Sequence, residues 1–154
     1  DMSTIKVDTY LTRGGASEIA IDKLKGVTAV ATINVVAEGG TNTTSLQQGL
    51  AKAWMHFDGS GTVAIDRSFN ISSLEDVTGG QYAGNFTTNM SYADYPNTGH
   101  ARHDGGVNAL FSCSTKDSRP PVTTRCGIDT FSSDGNQTAT DCDQTSQLIH
   151  GDLA

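Results

Sequence analysis

The chain has 154 residues, 36% hydrophobic and 18% charged, with a net charge of −7. That length is one domain, or one domain with a thin appendage. The acidic balance disfavours a nucleic-acid backbone as partner, and no apolar run approaches the roughly 18 residues that a membrane helix needs.

No signal-type apolar stretch follows Met2, which reads as the natural start behind Asp1, so the expectation is a soluble protein without classical secretory routing. Cys113, Cys126 and Cys142 are odd in number and fit no CxxC zinc spacing. Free thiols are the expectation, and one bridge stays open.

In chain order, Ile5 and Val7, then Ile19 and Ile21, alternate on either side of Arg13-Gly14-Gly15, the pattern of two short strands joined by a glycine turn. Val27, Val30, Ile33, Val35 and Val36 predict one or two further strands, which Gly39-Gly40 interrupts. Residues 44–51 are the one helix candidate. Thr44 with Gln47, or Ser45 with Gln48, forms a capping-box pattern, and Gly49 keeps the helix short.

Residues 54–57 read as strand, with Trp54 expected in the core. After the turn at residues 58–61, residues 62–66 and 68–72 alternate again, Phe69 and Ile71 being placed on one face. Residues 76–80 turn the chain, and Tyr82, Phe86 and Met90 recur at even spacing. An antiparallel meander follows from such short connections.

Beyond Tyr95-Pro96 the pattern weakens. Loops are expected at residues 102–106 and 114–121, strands at 107–113 and 122–131, a polar turn at 132–143 and a last strand at 145–150. The fold class is all-β: an antiparallel β-sandwich-like domain at residues 41–154 with one short helix, preceded by an extended β segment at residues 1–40 suited to attachment or intertwining.

Residues 41–54, TNTTSLQQGLAKAW, and residues 56–90, HFDGSGTVAIDRSFNISSLEDVTGGQYAGNFTTNM, resemble a module of tail-fibre-like virion proteins of marine and cyanobacterial tailed phages. The resemblance lies in F-x-G-x-G-T-x-x-I-x-x-S-F-N-[VI]-S-S-[LI]-x-D. The hairpin from Asp76 to Tyr82 follows it with one small residue different. The opening MSTIKVDTYLTRGGASEIAI and the closing Ile149-His150-Gly151-Asp152 also look like such proteins, and the match is weakest between residues 97 and 147. The resemblance implies a virion protein, commonly a homotrimeric fibre or spike component, with no cofactor and no catalytic residues. Asn- and Thr-rich strands suit it, because neighbouring copies can cover strand edges.

Site candidates are few. His100 and His103 share an H-x-x-H spacing beside Asp104, a weak metal candidate against the simpler reading of a solvated glycine-flanked loop. Asp58-Gly59-Ser60-Gly61 and Asp134-Gly135-Asn136 lack the acidic series of a calcium loop and read as turns. The five N-x-[ST] matches are what an Asn- and Thr-rich chain produces by chance. Ser112, His103 and Asp104 come without a G-x-S-x-G elbow, and Glu75-Asp76 are neighbours on a turn, so no enzyme is expected.

Tyr92, Tyr95, Arg102 and His103 are the candidate receptor or glycan contacts, on loops expected to be exposed. The expected role is virion assembly and display, with other virion proteins and a host surface glycan or receptor as partners and with neither nucleic acid nor membrane insertion. A capsid decoration protein and a carbohydrate-binding module stay open as alternatives.

Overall fold

A computed structural model describes residues 22–25, 33–36, 40–103, 109–112, 119–132 and 138–154. The two strands expected within residues 2–21, the strand start at 27–30, Cys113, Asp104, the 134–136 turn and most of the two expected loops lie outside these residues.

The chain is all-β, as expected. A ribbon of β1 (Asn34–Val36) and β2 (Thr43–Ser45) leads into a single helical turn, α1 (Leu46–Gly49). Ser45 caps that turn, its side chain accepting from the Gln48 amide at 3.4 Å, so the second of the two capping patterns is the one used. The Lys52 ammonium closes the other end, donating to the carbonyls of Gln47 and Leu50. Burial of Lys52 lowers its pKa, which nearby Asp152 partly opposes.

Two four-stranded antiparallel sheets follow. The first has the order β4 (Ala64–Phe69), β3 (Ala53–Asp58), β10 (Gln144–Ile149), β7 (Asn97–Arg102). The second has the order β5 (Ile71–Thr78), β6 (Gln81–Phe86), β9 (Arg125–Ser132), β8 (Ala109–Ser112). Hairpins join β3 to β4 and β5 to β6, but the expected meander does not continue. The last strand, β10, inserts between β3 and β7, and β9 pairs with β6 across the sequence. Local turn signals carry no information about such long-range pairings.

Residues 68–72 are not one strand. Asn70 adopts φ 57°, and the chain passes there from β4 in one sheet to β5 in the other, so Phe69 is exposed while Ile71 packs on the core. Asn70 makes this corner with its own side chain, donating to the carbonyls of Lys52 and Thr88 and accepting from the Thr88 amide. A short amide side chain tolerates the left-handed region where most others are strained.

The core lies between the sheets. Ala53, Met55 and Phe57 of β3 and Ile149 of β10 face Tyr82, Phe86, Cys126 and Ile128. Phe57 meets Tyr82 edge to face at 5.0 Å between ring centres. Gly84 leaves room for Met55 of the opposite sheet, since a Cβ there would sit 2.6 Å from the methionine Cε. Cys126 and Cys142 are buried, and burial pushes the Cys142 thiol above its usual range.

Trp54 corrects the expectation that placed it in the core. Strand alternation allows only one parity inward, and Met55 and Phe57 take it, so Trp54 stands on the outer face, 37% exposed. The outer face of the second sheet is covered differently. The Arg119 backbone lies against Gly127, where a Cβ would be 2.1 Å from the Arg119 carbonyl oxygen. The Arg119 guanidinium pairs there with Glu75 and holds its carboxyl below the usual range.

The Tyr82 hydroxyl lies 3.0 Å from the Gly59 carbonyl and 2.9 Å from Asp141 Oδ1, and burial raises its pKa well above that of a free phenol. Tyr82→Phe leaves these buried acceptors short of a donor and should cost about 1–3 kcal/mol in urea denaturation at unchanged m-value. Glu75 has a depressed folded pKa, so its pairing contributes above the unfolded value and is lost as pH falls through the folded one. Wild type should therefore melt slightly above Glu75→Gln at pH 7, and the gap should close below about pH 4.

Candidate functional site: the outer face of the first sheet

The register of the first sheet builds two adjacent rows on its solvent side. Phe69, Trp54, Leu148 and Thr98 are successive cross-strand partners in one row. Arg67, His56, Ser146 and His100 are partners in the next. Phe69 is 52% exposed, and Leu148 is as open as Trp54. Strands alternate, so residues two apart along each strand emerge on this same face.

The second row is hydrogen-bonded within itself. Ser146 Oγ and His56 Nδ1 are 2.7 Å apart, and His56 Nε2 lies 3.6 Å from Asp66 Oδ2. Asp66 reaches His56 because the β3–β4 ladder shifts register between His56 and Phe57, leaving Asp66 without a partner opposite. A bulge of this kind re-aims a side chain. Trp54, His56, Thr98, His100, Ser146 and Leu148 line a shallow groove of about 490 Å³ over these rows.

Serine, imidazole and carboxylate in this order invite comparison with a nucleophilic relay. Acyl transfer also needs N–H donors where an oxyanion would form. Ser146 sits in the middle of β10, which is paired on both sides, so the amides around it are committed to the ladder. What the rows present is an apolar strip beside donors and acceptors held on rigid strands.

The residues singled out from sequence are not gathered into one site. Tyr92 is on the loop before β7 and is exposed, as expected. Tyr95 is not: it is 8% exposed, packs edge to face on Phe86 at 5.7 Å and donates its hydroxyl to the Arg125 carbonyl at 2.6 Å. The loop folds inward there because an aromatic body with one polar end can fill the rim of the sandwich and satisfy a backbone acceptor. Tyr92, Tyr95, Asp94, Gln48 and Asp152 line a second cavity of about 350 Å³.

Arg102 is exposed at the far end of β7, and His103 follows it with Nδ1 3.5 Å from Asp143 Oδ2. The two tyrosines and the Arg102–His103 pair thus flank β7 at opposite ends. His100 and His103, three apart on an extended chain, fall on opposite sides, and only His100 borders the groove. Among the described residues no three His, Cys, Asp or Glu side chains are grouped to hold a metal.

The sequence reading missed the groove. Its one local signal was the alternation of Trp54 with Met55, and of Leu148 with Ile149, but the rows exist only because β10 pairs with both β3 and β7. Comparison of the chain with models of protein families, with curated proteins and with solved structures gives no match.

The two tyrosines should behave oppositely. Tyr95→Phe removes one of two donors to the Arg125 carbonyl, the Val122 amide remaining, and should cost about 0.5–1.5 kcal/mol, whereas Tyr92→Ala should stay within about 0.5 kcal/mol of wild type in the same urea titration.

Proposed function

We propose that this chain is a structural component of a tailed-phage particle, a homotrimeric fibre or spike protein that works in assembly and surface display and in host attachment. The resemblance of residues 41–90 to tail-fibre-like virion modules points to this class, and an all-β sandwich is the fold that class leads one to expect.

The observation that carries the assembly part is the β1–β2 ribbon. Val35 and Val36 are both more than half exposed on it, and among the described residues β1 pairs only with β2. A two-stranded ribbon is marginal by itself in water. Neighbouring copies can add strands at its edge and cover its valines, and three-fold closure satisfies all copies at once. The sandwich has its own core, so the ribbon is free to serve as the joint between subunits.

Immunogold labelling of intact particles with antibody to the purified protein tests the placement. Gold at the tail supports a fibre role, whereas gold over the head makes this a decoration protein and removes the attachment role. Native mass spectrometry should give three chains for wild type. The double variant Val35→Asp/Val36→Asp should give one chain, with the melting of the sandwich little changed. A wild-type monomer would end the trimer reading.

A further inference from the structure

We infer that the groove on the outer face of the first sheet binds a neutral pyranose oligosaccharide, with Trp54 stacking on a sugar ring in the groove, Phe69, its cross-strand partner beyond the groove's edge, stacking on the next ring, and Ser146 and His100 hydrogen-bonding their hydroxyls. The inference does not rest on where the protein sits on a particle, and its site differs from the loop residues singled out from sequence.

The two rows carry it. A pyranose is two-sided: its C–H faces are apolar and its edge is a ring of hydroxyls that both donate and accept. The face opposite it here has the same division. Phe69, Trp54 and Leu148 form the apolar row, and Arg67, His56, Ser146 and His100 form the polar row beside it. Adjacent rows on one face are about 7 Å apart along the strands, so one sugar ring can meet both.

His56 is held by Ser146 and Asp66, which leaves the His100 imidazole and the remaining capacity of the Ser146 hydroxyl to donate and accept, as sugar hydroxyls require. Charge points the same way: the Asp66 carboxylate stands beside His56 and Arg67, so neither sign dominates the groove. A neutral sugar fits this better than a phosphorylated or acidic one.

Size excludes the obvious rival, a second copy of this chain. The apolar row crosses three strands about 4.8 Å apart, which makes it roughly 10 Å long and one row wide. A stable protein interface needs about 800 Å² from each partner with an apolar centre, and the row next to this strip already carries Arg67, His56 and His100. A volume of about 490 Å³ lies instead in the range of small-ligand sites. The lining residues stand on hydrogen-bonded strands, so little ordering entropy opposes binding.

Trp54 is the single tryptophan of the chain, so its emission reports directly on the groove. The full chain is titrated with cellohexaose, maltohexaose and chitohexaose, following fluorescence and calorimetric heat. At least one should give a saturable change in both. Phe69→Ala, which keeps the reporter, should weaken that binding by about tenfold or more. Trp54→Ala should abolish the heat while its circular dichroism stays that of wild type, and Tyr92→Ala should bind normally.

No response to any of the three sugars overturns the inference, as does binding that survives Trp54→Ala unchanged. An emission shift that tracks protein concentration without sugar also overturns it, because the face is then an interface between copies. None of these results bears on the immunogold outcome, so the two readings fail separately.

Discussion

The Tyr82 hydroxyl holds together three parts of the chain that sequence keeps far apart. It meets the Gly59 carbonyl in the β3–β4 turn and Asp141 just before β10, while its ring supports Phe57 across the core. Asp141 Oδ1 also accepts from the Gly80 amide in the β5–β6 turn at 2.6 Å. One buried phenol and one carboxylate thereby fix two hairpin turns and the approach of the last strand. Gly59 has to be glycine for this to close, because a Cβ there would lie 2.4 Å from the Tyr82 oxygen.

From that node the rest of the sandwich follows. Once β10 is delivered beside β3, its inward residues Thr145, Gln147 and Ile149 fill the gap between β3 and β7, and Gln147 ties to Asn97 at 2.7 Å. Its outward residues Ser146 and Leu148 then complete the two rows on the solvent face. The opposite corner is held by Asn70, whose amide satisfies three backbone groups where the chain changes sheets. Among the described residues this layout also buries polar atoms without a hydrogen-bond partner, Thr145 Oγ1 and Asp129 Oδ2 among them, and each such atom costs more than a typical hydrogen bond gains.

The two faces of the sandwich are treated differently. On the outside of the second sheet, Arg119 presses its backbone against Gly127 and pairs its guanidinium with Glu75. The first sheet keeps its outer face open, with aromatic and imidazole side chains on it. A stable fold alone does not call for exposed Trp54 and Phe69, since burial of apolar surface is what stabilises it. Their place on hydrogen-bonded strands fixes them as a preformed exposed aromatic row.

How much of this was legible in the sequence depends on the range of the interaction. The all-β class, the capped turn at Ser45, the hairpins around Gly59 and Gly80 and the inward spacing of Tyr82 and Phe86 are local consequences of glycine, capping and alternation, and the residues alone determined them. Tyr95 was misplaced because a loop aromatic looks the same whether it points out or folds onto Phe86. Trp54 was misplaced because Trp-Met-His-Phe is apolar at both parities, and only the facing sheet decides which parity is buried. The insertion of β10 between β3 and β7, and with it the groove, was decided by tertiary structure alone. Pairing strands more than forty residues apart depends on what else the core must bury, and no local pattern records that.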